Sequence, residues 1–99
     1  MAARMHRSSG NVFEDLGFPK EEAAHLSIRA DLMSQVKRVI DTRGLTQKEA
    51  AKALWVSQPR VSDLVRGRIH LFSIDTLVEM LARLGVAVTV TTRRRSRIA

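Results

Sequence analysis

The segment Leu45–Gly67, LTQKEAAKALWVSQPRVSDLVRG, constrains the fold more than any other part of the chain. It holds two short helical patterns with almost nothing between them. Thr46 and Glu49 form a T-x-x-E capping box, and Ala50, Ala51, Ala53 and Leu54 continue that helix. Ser57 caps the next, Pro59 sits in its first turn, and Val61, Leu64 and Val65 give it an inward face closed by Gly67. Helices joined so tightly must cross closely. Ala51 supplies the small residue at the crossing, and Val56 can plug into the core. Gln58, Arg60, Ser62 and Asp63 are left on the outer, N-terminal side of the second helix. The link also carries the chain's one tryptophan, Trp55, where so sharp a turn favours glycine.

The remainder reads as a helical frame. NVFEDLGF (Asn11 to Phe18) is a brief strand or an irregular segment that packs Val12, Phe13 and Leu16 on the body. Pro19, Glu21 and Glu22 open a long helix. Ile28, Leu32, Val36 and Ile40 form its stripe with Met33 and Val39, and Arg43-Gly44 ends it. Ser73 caps a fourth helix with a stripe of Ile74, Leu77, Val78, Leu81 and Leu84, and Gly85 follows as its C′ residue. VAVTVTT (Val86 to Thr92) then changes period from 3.6 to 2, which predicts a strand. A strand must pair with something: another copy across a two-fold axis, through Val86, Val88 and Val90, or residues 11–16 of its own chain. The expected division is a disordered lead-in at 1–10, one domain at 11–92 and a basic tail at 93–99.

Bulk properties narrow the chemistry. At 44% hydrophobic with few aromatics, the chain can build a modest aliphatic core of the kind that suits helix-on-helix packing. It contains no cysteine, which excludes disulfides and thiolate metal sites and fits a reducing, cytoplasmic setting. No uncharged run approaches the ~20 residues of a membrane helix, and MAARMHRSSG has no apolar core for export. Lys+Arg 17 against Asp+Glu 10 gives +7. Residues 1–44 carry 7 basic and 6 acidic groups, whereas 45–72 and 73–99 carry 5 and 2 each. The excess lies around the two-helix segment and the tail, which favours a polyanionic partner such as nucleic acid over a merely soluble basic surface.

The pattern L-T-Q-x-E-x-A-x-x-L-x-V-S-Q-x-x-V-S-x-L-x-x-G resembles the helix-turn-helix of the phage repressor/Cro or XRE family. The order NVFEDLGF, long helix, this motif, GRxHxFSxDTLxxMLxxLG and a valine-rich strand is similar to the HigA-like antitoxin and XRE regulator group. The resemblance implies a mainly α, four- to five-helix, lambda-repressor-like domain with a C-terminal β-strand. It implies double-stranded DNA as the partner, read by a homodimer at a palindromic operator, and leaves room for a toxin protein as a second partner. Transferred by motif position, Gln47 and Ser57 contact phosphate. Gln58, Pro59 and Asp63 fall where bases are read, flanked by Arg60 and Ser62. The family's usual glycine at residue 55 has φ > 0. A tryptophan there costs on the order of 1–2 kcal/mol, so either Trp55 holds the left-handed conformation with its ring at the surface or over the long helix, or the turn shifts.

Side-chain chemistry adds to this independently. Arg60 suits guanine and Gln58 suits adenine, while Pro59 offers only apolar contact, for example to a thymine methyl. Thr46, Lys48, Arg66 and Arg68 are placed with Gln47 and Ser57 to meet phosphate. Asp63 either accepts from cytosine or partners Arg60 or Arg66 at helical spacing. Arg93, Arg94, Arg95 and Arg97 are a solvated tail or an auxiliary phosphate contact. His6, His25 and His70 are far apart in sequence with no metal-binding spacing, and no nucleophile elbow or phosphate loop occurs. Neither a cofactor nor catalysis is expected. Non-specific RNA binding lacks the aromatic platform it needs. A toxin-sequestering role competes with DNA binding, but toxins of this kind are basic and a +7 partner is electrostatically awkward.

Overall fold

Three helix starts in this chain share one local grammar: an apolar residue, a Ser or Thr cap, and a second apolar residue at the fourth helical position. The computed structural model describes residues 11–94, and these starts organise it. The elements are α1 (Val12–Asp15), α2 (Lys20–Thr42), α3 (Gln47–Leu54), α4 (Gln58–Val65) and α5 (Ile74–Arg83), with a 3-10 turn at Ile69–Leu71. At the start of α3 the Glu49 N–H donates to the Thr46 hydroxyl at 3.1 Å, and the Thr46 N–H donates to the Glu49 carboxylate at 2.9 Å. Ser57 accepts from the Arg60 N–H at 3.3 Å, and Ser73 from the Thr76 N–H at 3.1 Å. Each such cap contributes about 1 kcal/mol. The flanking apolar pairs, Leu45 with Ala50, Val56 with Val61 and Phe72 with Leu77, all belong to the core or pack on it. They act as hydrophobic staples that set the angle at which the chain enters each helix.

Helices α3 and α4 have eight residues each, too short to persist alone in water. Burial holds them. Ala50 and Leu54 of α3 and Val61 and Leu64 of α4 meet Met33, Val36 and Ile40 of α2 and Leu77, Met80 and Leu81 of α5. Each large side chain buried there stabilises the fold by roughly 1.5–3 kcal/mol. Phe72 is the largest side chain fully enclosed. The Arg43 guanidinium donates to the Leu84 carbonyl at 2.8 Å, tying the end of α2 to the end of α5.

Three expectations need correction. Ile28 is 47% exposed, and Ala23 and Leu26 are buried at that end of α2 instead. Four-residue spacing overshoots a helical turn of about 3.6 residues, so a stripe drawn from Ile40 back to Ile28 drifts off the core. Residues 12–15 are helical rather than extended. The Asn11 carboxamide oxygen accepts from the Phe13 and Glu14 N–H groups, and its amide donates to the Ala23 carbonyl. Of the three apolar residues expected to pack, only Phe13 is half-buried, edge-on to Phe18 at 6.2 Å, whereas Val12 and Leu16 are exposed.

The third correction concerns residues 86–92: among the described residues no strand forms. The partner segment within the chain, residues 11–16, is taken up by α1, and a strand cannot satisfy its own backbone. The Val86 N–H instead closes α5 by donating to the Leu81 carbonyl at 2.8 Å. Val86 and Val88 are half-buried against the core, and Val90 is 81% exposed. The lead-in at 1–10 and Arg95 and Arg97 of the tail lie outside the described residues.

Candidate nucleic-acid interface

The surface around α4 follows from its helical register. At about 3.6 residues per turn, Val61 and Leu64 share one side and are buried. Pro59, Ser62, Asp63 and Arg66 fall on the other. Gln58, at the exposed first position of α4, stands beside them. The caps keep spare chemistry. Thr46 and Ser57 each accept one backbone N–H, so each hydroxyl proton remains able to donate outward. Gln47, Lys48, Arg66 and Arg68 are exposed. The N-terminus of α4, with its partial positive charge, therefore stands among polar donors and cations.

Two predicted site residues are already engaged. The Arg60 guanidinium lies 4.1 Å from the centroid of the Phe72 ring, and it donates to the Leu71 carbonyl at 2.8 Å. It sits on the flank of α4 next to Leu64 rather than on the outer side. Asp63 pairs with Arg68 at 3.8 Å, not with Arg60 or Arg66. Past Gly67, which has φ 74, the chain turns back, and the Arg68 N–H donates to the Asp63 carbonyl at 3.1 Å. That reversal brings Arg68 to the carboxylate. Helical spacing on α4 alone could not anticipate it.

The turn itself resolves as a left-handed residue. Trp55 has φ 62 and ψ 41 and is the one non-glycine with positive φ among the described residues. Its ring does not lie over α2. It stacks on Arg83 of α5, whose guanidinium is 4.5 Å from the ring centroid and donates to the Leu54 carbonyl at 3.2 Å. Arg83 also pairs with Glu79 at 3.8 Å. The stack contributes about 0.5–1 kcal/mol at an exposed site and the hydrogen bond about 0.5–1.5. Together they offset a left-handed cost on the order of 1–2 kcal/mol.

The helix-turn-helix domain family matches residues 12–93 of the chain. A solved structure named as an XRE family transcriptional regulator is similar over 82% of this chain and 91% of its own, at 32% identity and a TM-score of 0.70. The chain belongs to the XRE helix-turn-helix family. No curated protein matches it.

In this XRE domain the residues that sequence reasoning missed lie outside the motif: Leu71 and Phe72, which hold Arg60 of α4, and Arg83, which holds the turn before it. Phe72 left a readable trace, since it precedes the Ser73 cap in the staple position with Leu77 at the other end. Leu71 and Arg83 left none, because their contacts with Arg60 and Trp55 cross between elements. The fold also brings His25, Arg29 and His70 to one cavity of about 560 Å³ at the start of α5, although the histidines are distant in sequence. Among the described residues no helix is long and apolar enough to cross a membrane.

Proposed function

We propose that the chain is a sequence-specific DNA-binding transcriptional regulator, acting as a repressor, with the N-terminal end of α4 entering the major groove. The observation that carries this reading is the outer side of α4. It has no core duty, it presents Gln58, Pro59, Ser62 and Asp63, and cations flank it. Gln58 suits bidentate pairing with adenine, Pro59 contacts a thymine methyl, Ser62 bonds a base edge, and Asp63 accepts from cytosine N4 when it leaves Arg68. Thr46, Gln47, Lys48, Ser57, Arg66 and Arg68 meet phosphate and set the register on the duplex. Arg60 reaches guanine only by giving up Leu71 and Phe72, so its first role is to hold α4.

One α4 covers few base pairs. Two copies reading half-sites about 34 Å apart supply useful specificity, which implies a homodimer on a palindromic operator. The decisive test is binding to the DNA upstream of the protein's own gene. Gln58→Ala should cost about 1–3 kcal/mol on that operator and little on random sequence. Equal loss on both would reduce Gln58 to a backbone contact.

The element order resembling HigA-like antitoxins supports a narrower role as an antitoxin that represses its own operon. The exposed Val12 of α1 and Leu16 just past it favour a protein partner there. Co-purification with the product of an adjacent reading frame tests this, and failure of the two to associate removes the toxin partner while leaving the DNA role intact.

A further inference from the structure

We propose that Trp55 and Arg83 form a positioning clasp that fixes the direction in which α4 leaves α3, and so sets how sharply the protein discriminates its operator from other DNA. The proposal deepens the DNA-binding reading and rests on it.

The joint between the two motif helices consists of Trp55, Val56 and Ser57. A glycine at residue 55 would reach φ 62 without strain, but it would also wander through a wide range of backbone angles. Within the left-handed region tryptophan has only a narrow well. Two neighbouring groups of the joint are then pinned to one rigid plane: the Leu54 carbonyl accepts from the Arg83 guanidinium, and the Trp55 ring lies against the same guanidinium. Arg83 is itself anchored, since it projects from the last turn of α5 and pairs with Glu79. The indole is 74% exposed, so burial does not account for a large aromatic at this place. What the ring adds is stiffness, two residues before the Ser57 cap that opens α4.

Stiffness matters for base reading more than for phosphate contact. Bidentate pairing to a base edge tolerates little angular error, whereas long cationic side chains follow a phosphate wherever it sits. A loosened joint should therefore lower operator affinity and spare non-specific affinity.

A substitution series at residue 55 separates this role from a structural one. Trp55→Gly and Trp55→Asn relieve the backbone strain while deleting the ring, because both residues accept the left-handed region readily. Their melting temperatures should equal or exceed that of the native protein. Their operator affinity should nevertheless fall by about tenfold, with affinity for random DNA within about twofold of native. Trp55→Phe keeps an aromatic face over Arg83 and should restore most of the operator affinity. Independently of DNA, exchange of the Arg60 and Val61 amides, which donate to the Ser57 carbonyl, should quicken in the glycine variant. Native operator affinity in Trp55→Gly, or unchanged exchange at those amides, overturns the proposal. If the unaltered protein fails to tell operator from random DNA, the regulator reading fails, and the exchange rates alone decide whether the clasp stiffens the joint.

Discussion

Arg60 has the right chemistry for guanine and sits in α4, yet its guanidinium lies across Phe72 and donates to Leu71. One residue of register explains the difference, since Arg60 falls on the flank of α4 while its neighbours Pro59 and Ser62 face away from the core. A half-buried stack of this kind contributes about 1 kcal/mol and its hydrogen bond about 0.5–1.5. Arg60→Ala should therefore destabilise the domain by roughly 1–2 kcal/mol in urea denaturation. Native stability in that variant would mean the contacts contribute nothing, leaving the guanidinium available for a base. Trp55 presents the reverse case: a residue that violates a local rule and is compensated by a side chain from another helix. Asp63 is milder. Its pairing with Arg68 lowers the repulsion a bare carboxylate would meet near phosphate.

At the scale of elements, the caps and staples of α3, α4 and α5 are local and form as the sequence indicates. The segment after α5 does not, because alternation specifies a strand only when a partner backbone exists. Val88 and Val90 instead line a largely apolar groove of about 440 Å³ with Ile28, Leu32, Ile74 and Val78. Exposed apolar side chains gathered this way suit an interaction site, and under the proposed homodimer a second copy of the chain would cover them. Ile28→Asp should weaken self-association by at least about tenfold without unfolding the domain, since Ile28 is 47% exposed. Sedimentation of the native protein as a monomer at micromolar concentration would dismiss this groove as a dimer contact.

For the whole molecule, the sequence by itself determined the mainly helical class, the helix-turn-helix and its boundaries and the three capped helix starts, and it left two conformations open at Trp55, of which the structure shows the left-handed one. The class, the motif and the caps depend on neighbours within about one helical turn, where capping and periodicity operate. The sequence also located the excess positive charge, which sums over residues and needs no contacts. Only the tertiary structure decided which of the motif's charged and aromatic side chains are already engaged: Arg60 with Leu71 and Phe72, Asp63 with Arg68, Trp55 with Arg83. It also decided that residues 12–15 coil into helix and that residues 86–92 lie unpaired beside a groove. Each of these outcomes depends on a partner brought near by folding. A guanidinium has the same chemistry toward a base, a ring or a carbonyl, and its place in the packed chain selects among them.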